Sequence, residues 1–77
     1  MRKRNQHVIP LGNGWAVKEE GKNRFSLISQ TQKDAIHFAR EIAKNNRSEL
    51  VIHRKDGRIR LKDNYVNGLI PQKVKQQ

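Results

Sequence analysis

The sequence predicts a small α+β domain, an antiparallel sheet of four to five strands with one helix packed on one face. Short apolar runs separated by glycine-containing turns are typical of strands. One stretch near the middle repeats its apolar residues with helical spacing. The chain has 77 residues and no cysteine, so we expect one domain without disulfides or thiolate metal sites.

Three strands precede the helix in the predicted order β-β-β-α-β-β. Each is a short run of apolar-rich sequence, and the first two end at turns that contain glycine. Pro10 suits an edge strand, because its missing N–H costs nothing there. The three strands span residues 7–11, 15–18 and 24–28.

The first turn decides the register of the first hairpin. A three-residue loop, Gly12-Asn13-Gly14, places Leu11 opposite Trp15 and Ile9 opposite Val17, so four large apolar side chains share one face. A two-residue Asn-Gly turn would instead place an isoleucine opposite a lysine. Because a slip of one residue turns every side chain over, we predict the three-residue loop.

A helix is predicted over about residues 32–46. Thr31 and Asp34 resemble a capping box, and the pair Asn45-Asn46 suits a helix end. The apolar arc of this helix consists of Ala35, Ile36, Phe38, Ala39, Ile42 and Ala43. The opposite face carries a narrow cationic stripe, which an ordinary solvated helix face would also show: Lys33, His37, Arg40 and Lys44.

The sequence Asp56-Gly57 predicts a second hairpin, with a two-residue type I′ turn between strands 50–55 and 58–62. In that register one strand face is core, and the other collects exposed basic side chains around Val51. Like charges in direct opposition destabilise a sheet by a few tenths of a kcal/mol, roughly, and a bound polyanion would reverse that effect. The basic patch consists of His53, Lys55, Arg58, Arg60 and Lys62.

The predicted core contains the apolar residues of both hairpins and of the helix. These are Ile9, Trp15, Val17, Phe25, Leu27, Ala35, Phe38, Ala39, Ile42, Leu50, Ile52, Ile59 and Leu61. Tyr65 is then the one aromatic side chain expected at the surface. A platform for stacking single-stranded bases is poorly supported by a single tyrosine.

The charge balance predicts a polyanionic partner. Seventeen Lys and Arg against seven Asp and Glu give a net charge of +10. Arg2, Lys3 and Arg4 add a basic N-terminal arm to the patch. The leading hypothesis is therefore non-enzymatic nucleic-acid binding through phosphate contacts on the open sheet face, with a duplex favoured and weak sequence specificity.

Two other interpretations stay open for the basic patch. Lys and Arg on an exposed strand also protect a sheet edge against aggregation. Alternatively, the domain is a protein-interaction or adaptor module, or forms a homo-oligomer, through its open sheet face or an unpaired edge strand. A large apolar patch on that face would favour the adaptor, whereas a continuous cationic patch would favour nucleic acid.

An enzyme is not predicted. His7 opposite Glu19 has the residue types of a metal-independent nuclease, but such a pair at a strand end is usually a surface ion pair. The sequence has no Gly-rich phosphate loop and no nucleophile elbow. The three histidines are widely spaced along the chain. We therefore expect no catalytic residue, no metal and no cofactor.

The chain divides into a basic arm at 1–5, a single domain at 6–66 and a flexible tail at 67–77. The basic N-terminus leads into polar residues and not into a long apolar stretch, so neither a signal peptide nor a membrane span is expected. A cytoplasmic location is the default expectation.

Several short motifs in combination resemble a family of small bacterial proteins catalogued as a domain of unknown function. The motifs are His7-Val8-Ile9-Pro10, Gly14-Trp15-Ala16-Val17-Lys18, Thr31-Gln32-Lys33-Asp34-Ala35, Glu49-Leu50-Val51-Ile52-His53 and Lys55-Asp56-Gly57-Arg58-Ile59-Arg60. The resemblance covers about residues 6–68, and the sequence departs from the family's Ser-Tyr-Gly ending at residues 63–68. It implies a compact bacterial or phage-borne module and carries no established activity.

Overall fold

The chain forms six strands and one helix in a computed structural model that describes residues 4–66 and 72–74. The predicted order β-β-β-α-β-β is confirmed, and a short sixth strand follows it. The elements are β1 (Gln6–Leu11), β2 (Gly14–Glu19), β3 (Phe25–Ser29), α1 (Gln32–Asn46), β4 (Glu49–His53), β5 (Ile59–Asn64) and β6 (Gln72–Val74).

The sheet is mixed, so the prediction of a purely antiparallel sheet was wrong. Its strand order is β3-β2-β1-β4-β5-β6, and β1 pairs with β4 in parallel. The reason is that α1 crosses back over the sheet after β3, so β4 runs in the direction of β1 and joins it at the centre. Within β1, the pairing with β4 involves Gln6–Val8, which leaves Pro10 beyond this ladder although β1 is a central strand and not an edge.

The first hairpin has a two-residue turn, Gly12-Asn13, and the predicted three-residue loop was wrong. Leu11 pairs with Gly14, and Ile9 pairs with Ala16. Gly12 supplies the positive φ, 56°, that the turn requires. Gly14 belongs to β2, where an added Cβ would lie 2.5 Å from the backbone oxygen of Ser29. The shorter turn moves Ile9 to the sheet face away from the helix, which we call the open face.

α1 covers the other face of the sheet, where three fully buried alanines let the helix approach the strands closely. Much of the predicted core is confirmed, but Phe25 and Ile59 are 39% and 40% exposed, and Tyr65 is buried instead of exposed. The core cluster consists of Val8, Trp15, Val17, Ala35, Ala39, Ala43, Leu50, Ile52 and Tyr65, with Leu27, Ile36, Phe38 and Leu61 packed against it.

Both ends of α1 are capped. The Thr31 hydroxyl accepts a hydrogen bond of 3.1 Å from the Asp34 N–H, as the capping pattern predicts. At the other end the left-handed residue is Arg47, with φ 54°, and not one of the two asparagines. Its N–H donates to Lys44, and the N–H of Ser48 donates to Ala43, which closes the last turn.

The predicted arm and tail both contain residues that join the domain. The Asn5 side chain accepts a hydrogen bond of 3.0 Å from the Glu49 N–H, and the Asn5 carbonyl accepts one of 2.9 Å from the Glu20 N–H. β6 pairs with β5 inside the stretch that was expected to be a flexible tail. Residues 1–3, 67–71 and 75–77 lie outside the described residues.

A buried polar network ties the end of β5 to the helix. The guanidinium of Arg40 donates 2.8 Å hydrogen bonds to the Tyr65 hydroxyl and to the Asp63 carboxylate. Burial lowers the pKa of Arg40, but these two bonds outweigh it and raise the pKa above its usual value. Arg40 is therefore a structural residue and not a free member of the predicted cationic stripe. In the described part of the chain, no helix has the length and apolar character to cross a membrane.

Candidate functional site

Residues 54–58 join β4 to β5, and the hydrogen-bonded pair Arg54 and Arg58 encloses a three-residue loop, Lys55-Asp56-Gly57, so the predicted two-residue type I′ turn was wrong. The N–H of Arg54 donates to the Arg58 carbonyl, and that of Gly57 donates to the Arg54 carbonyl over 2.9 Å. Only Gly57, with φ 91°, has a positive φ in this loop. This is a type I turn followed by a left-handed glycine.

A β-bulge next to the loop compensates for the extra residue. Val51 pairs with Lys62 and Ile52 with Leu61, as predicted, but His53 pairs with Ile59 and leaves Arg60 as the extra residue. Directly paired residues share a face, so Ile59 joins the open face. The guanidinium of Arg60 instead reaches the helix side, where it donates a 2.8 Å hydrogen bond to Gln32.

The predicted basic patch is therefore divided between different surfaces. His53 and Lys62 lie on the open face, and Lys55 lies in the loop. The Arg58 side chain is 82% exposed and lies 3.7 Å from the Asp56 carboxylate. Lys55 and Arg60 line a common concave surface, which is on the helix side.

The described part of the predicted basic arm is ion-paired with the domain. The Arg4 guanidinium lies 3.6 Å from the Glu19 carboxylate and donates a hydrogen bond to the Glu20 carbonyl. Its charge is therefore partly offset by β2. Arg2 and Lys3 lie outside the described residues.

Two adjoining depressions on the helix side form a basic concave surface. Each has a volume of about 400 Å³, and Gln32 and Arg60 line both. Their hydrogen bond therefore forms a ridge between the two. The first depression is lined by Trp15, Gln32, Arg54, Lys55 and Arg60, and the second by Gln32, Lys33, Ile36, His37, Arg40 and Arg60. We call this double depression the basic groove.

The charge of the basic groove has one sign. No acidic residue lines either depression. Arg40 is compensated by Asp63, which leaves four cations without an ion-pair partner among the described residues: Lys33, Arg54, Lys55 and Arg60. Gln32 is the first residue of α1, so the positive end of the helix dipole adds to the same field.

The sequence could not reveal this groove because its cations come from two parts of the chain, α1 and the β4–β5 hairpin. Lys33 appeared on the helix stripe, and Arg60 appeared on a sheet patch. They come together because the bulge turns Arg60 toward the first turn of α1. The sequence Asp56-Gly57 is compatible with a three-residue loop as well as with a two-residue turn.

The open face of the sheet is a mixed apolar and polar surface, not a continuous cationic one. Ile28 is 64% exposed, and Phe25 and Ile59 are 39% and 40% exposed. Ala16 and Val51 are buried beneath their neighbours on this face. Lys18 and Lys62 are its half-buried lysines.

The sequence profile of a family described as an uncharacterized protein conserved in bacteria (DUF2188) matches residues 6–65. The chain belongs to this family. The family resemblance drawn from the motifs is thereby confirmed, over almost the range expected for it. The match covers β1 to the end of β5, including both sides of the basic groove.

The chain is similar to the uncharacterized protein YdaT of Bacillus subtilis (strain 168). The two are 46% identical over 57 residues, which is 74% of this chain and 38% of YdaT. The chain thus corresponds to well under half of that relative's length. No solved structure matches the chain significantly.

Proposed function

We propose that the chain binds the phosphate backbone of duplex nucleic acid through the basic groove, without catalysis. The observation that supports the proposal is the convergence of four cations on one concave surface that no acidic residue lines. Lys and Arg side chains that neutralise phosphates supply most of the sequence-independent affinity of nucleic-acid-binding proteins. The net charge of +10 adds long-range attraction toward the same ligand.

The groove residues favour phosphate contacts over base reading. Trp15 is only 8% exposed at the floor of the first depression, so its ring is not free to stack on a base. Arg60 is held by Gln32 at the ridge, where a guanidinium can contact a phosphate without entering a groove of the duplex. Since phosphate contacts position a protein without specifying sequence, we expect weak sequence preference.

The salt dependence of duplex binding tests the proposal. Each phosphate neutralised releases counterions, so the logarithm of affinity should fall with the logarithm of salt concentration by about 0.9 per contact. Four groove cations predict a slope near −4, roughly. Arg60→Ala should make the slope shallower by about one unit, equally for unrelated duplex sequences. Fluorescence anisotropy with a labelled duplex at several salt concentrations measures these values.

Arg24→Ala is the matched control for this experiment. Arg24 is an exposed arginine just before β3, at the other end of the sheet from β5. It removes the same charge and should leave the slope unchanged. A flat salt dependence, absence of binding at low salt, or an equal change with Arg24→Ala would contradict the proposal.

The outer edge of β3 supports a second candidate function, the binding of an extended segment of another protein. The described strands leave this edge unpaired, and β3 has the sequence Phe-Ser-Leu-Ile-Ser, without a charge or a proline to protect it. Ile28 is 64% exposed and lies beside a shallow depression that Leu11 and Gly14 also line. A strand added to this edge could place apolar side chains over Ile28.

Selection of a displayed random-peptide library on the immobilised domain tests this second function. We expect enrichment of peptides with alternating apolar residues, and loss of their binding with Ile28→Lys. Ile59→Lys is the control, because it makes the same change at an exposed isoleucine of the open face, on β5. Failure to enrich any peptide, or equal loss with both variants, would rule out this use of the edge.

A further inference from the structure

His7 and His53 lie 46 positions apart in the chain and meet on the open face of the sheet. They meet because β1 and β4 are parallel neighbours in which His7 pairs with Val51, and His53 follows two residues later on the same face. Nδ1 of His7 lies 3.1 Å from Nε2 of His53, and the ring centroids are 5.4 Å apart. The two nitrogens therefore lie on the line between the rings, which is the geometry of an N–H···N hydrogen bond. We call these two residues the histidine pair.

The outer nitrogen of each ring faces a group that accepts a hydrogen bond. Nδ1 of His53 lies 3.0 Å from the carbonyl oxygen of Gly57, which can only accept. Nε2 of His7 lies 3.0 Å from the Glu20 carboxylate. The hydrogen bond from His7 is the main reason that the pKa of Glu20 lies below its usual value, so this carboxylate is an acceptor too. The result is a chain of three hydrogen bonds with an acceptor at each end.

This chain of hydrogen bonds needs one proton more than two neutral imidazoles supply. A neutral imidazole has one N–H and one lone pair, so the two rings provide two protons for three contacts. If His7 donates to His53, its Nε2 turns a lone pair toward Glu20. If His53 donates to His7 instead, its Nδ1 turns a lone pair toward Gly57. One additional proton satisfies all three contacts, and the histidine pair then carries one positive charge beside the Glu20 carboxylate.

The charges that face the histidine pair from the neighbouring elements largely offset one another. Lysines of β2 and β5 disfavour a further positive charge, whereas carboxylates of β4 and of the turn after β2 favour it. The β4–β5 loop adds one exposed charge of each sign. These groups are Lys18, Lys62, Glu49, Glu20, Arg58 and Asp56. The hydrogen-bond count therefore argues for the additional proton, and the surrounding field does not oppose it.

Loss of the additional proton leaves one of the three contacts without a donor. A hydrogen bond to a charged acceptor is about twice as strong as one between neutral groups, so His7 keeps its N–H directed at Glu20. His53 then donates its one N–H to His7, and the carbonyl of Gly57 loses its donor. The β4–β5 loop is thereby released from the ring that holds it to the sheet.

The same loop carries part of the basic groove. Arg54 and Lys55 line the first depression. The backbone carbonyl of His53 accepts a 2.9 Å hydrogen bond from Gln32, whose side chain also accepts from Arg60 at the ridge. His53 thus contacts the proton site with its side chain and the groove with its main chain.

We propose that the histidine pair binds one additional proton, and that this proton strengthens duplex binding by holding the β4–β5 loop in place. The second half rests on the function proposed for the basic groove. The form that holds the loop has one proton more than the form that releases it, so it is populated at low pH and lost as the pH rises. Linkage requires that duplex binding in turn favours uptake of the proton.

Nitrogen NMR of the imidazoles tests the proton site without nucleic acid. The measurements are made at about pH 6 and about pH 9, on either side of the range in which histidine charge changes. At the lower pH we expect one positive charge shared by the histidine pair, with both outer nitrogens protonated. At the higher pH, Nε2 of His7 should stay protonated, whereas Nδ1 of His53 should not. Two separate imidazolium rings at the lower pH, or a protonated Nδ1 of His53 at the higher pH, would overturn the proposal.

Anisotropy titrations with a labelled duplex at constant salt test the effect on the groove. His37 also lines the second depression, so every chain in this experiment carries His37→Gln to remove its charge change. Affinity should fall about fivefold or more between pH 6 and pH 8, which is the usual size of a coupling between two sites. His7→Phe should abolish this pH dependence, because a lone His53 can donate its Nδ1–H to Gly57 whether or not it is charged.

The two measurements separate this proposal from the function on which it rests. Duplex binding that is unchanged between the two pH values, or an equal pH dependence with His7→Phe, would overturn the regulation and leave the basic groove as the binding surface. Absence of duplex binding at either pH would contradict the proposed function, and the imidazole signals would still decide whether the proton is bound.

Discussion

Reversing two charges of the basic groove, in the double variant Lys33→Glu with Arg60→Glu, is expected to lower duplex affinity by about 60-fold at 0.1 M salt. The estimate follows from the loss of two phosphate contacts, each worth about 0.9 logarithmic units in affinity at that salt concentration relative to 1 M. Repulsion from the two new carboxylates can only increase the loss. Neither side chain is buried, and Lys33 lies in the first turn of α1, where glutamate is favourable for the helix.

The matched control reverses Lys18 and Lys62 on the open face. Both double variants change the net charge from +10 to +6, because each replaces two positive charges with two negative ones (10 − 4 = 6). The control should lower affinity by less than about fivefold, since charges farther than a Debye length of about 8–10 Å from the phosphates are largely screened. Anisotropy titrations of both variants measure the difference.

The ranking of these two variants locates the binding surface. A larger loss with the open-face pair would return the site to the surface that the sequence predicted. Equal losses would mean that net charge alone drives binding and that the groove has no special part in it. Circular dichroism of each variant shows whether the fold is intact.

Local sequence patterns were sufficient for the helix and for the order of the elements. The bounds of α1 follow from its apolar spacing and from Thr31, because both signals act within a few residues along the chain. Most of the core residues could be predicted from the sequence for the same reason. The position of Arg47 at the helix end could not be predicted, since the two asparagines before it favour that conformation more strongly.

Register and long-range pairing could not be derived from local patterns. In the first hairpin the two-residue turn and the three-residue loop differ in whether Gly14 belongs to β2, and as a β2 residue it approaches the Ser29 backbone closely. That approach depends on β3, which the turn sequence does not contain. The parallel contact of β1 with β4 likewise depends on the path of α1 across the sheet.

The predicted basic patch is absent because the register of the β4–β5 hairpin differs from the predicted register. The bulge turns Arg60 away from His53 and Lys62. The three-residue loop shifts the pairing so that Ile59 lies opposite His53, on the open face. The same shift produces the two surfaces that carry the proposals. Cations of the hairpin join those of α1 on one side of the sheet, and apolar side chains and the histidine pair occupy the other.

Tyr65→Ala is expected to cost about 3–5 kcal/mol in the free energy of unfolding, which is the range for truncating a large buried aromatic side chain. Tyr65 is 1% exposed and belongs to the core cluster beneath α1. A domain of this size has a total stability of about 4–12 kcal/mol. The variant should therefore be largely unfolded at 37 °C or have a greatly lowered urea midpoint.

Tyr65→Phe separates the ring from its hydroxyl group. The phenyl ring keeps the packing, and only the 2.8 Å hydrogen bond from Arg40 is lost, so the cost should be about 1 kcal/mol. Urea unfolding followed by the fluorescence of Trp15, the single tryptophan and itself part of the core, measures both variants. A change below about 0.5 kcal/mol for Tyr65→Ala is the behaviour of a surface residue, and it would place Tyr65 outside the core, where the sequence alone had put it.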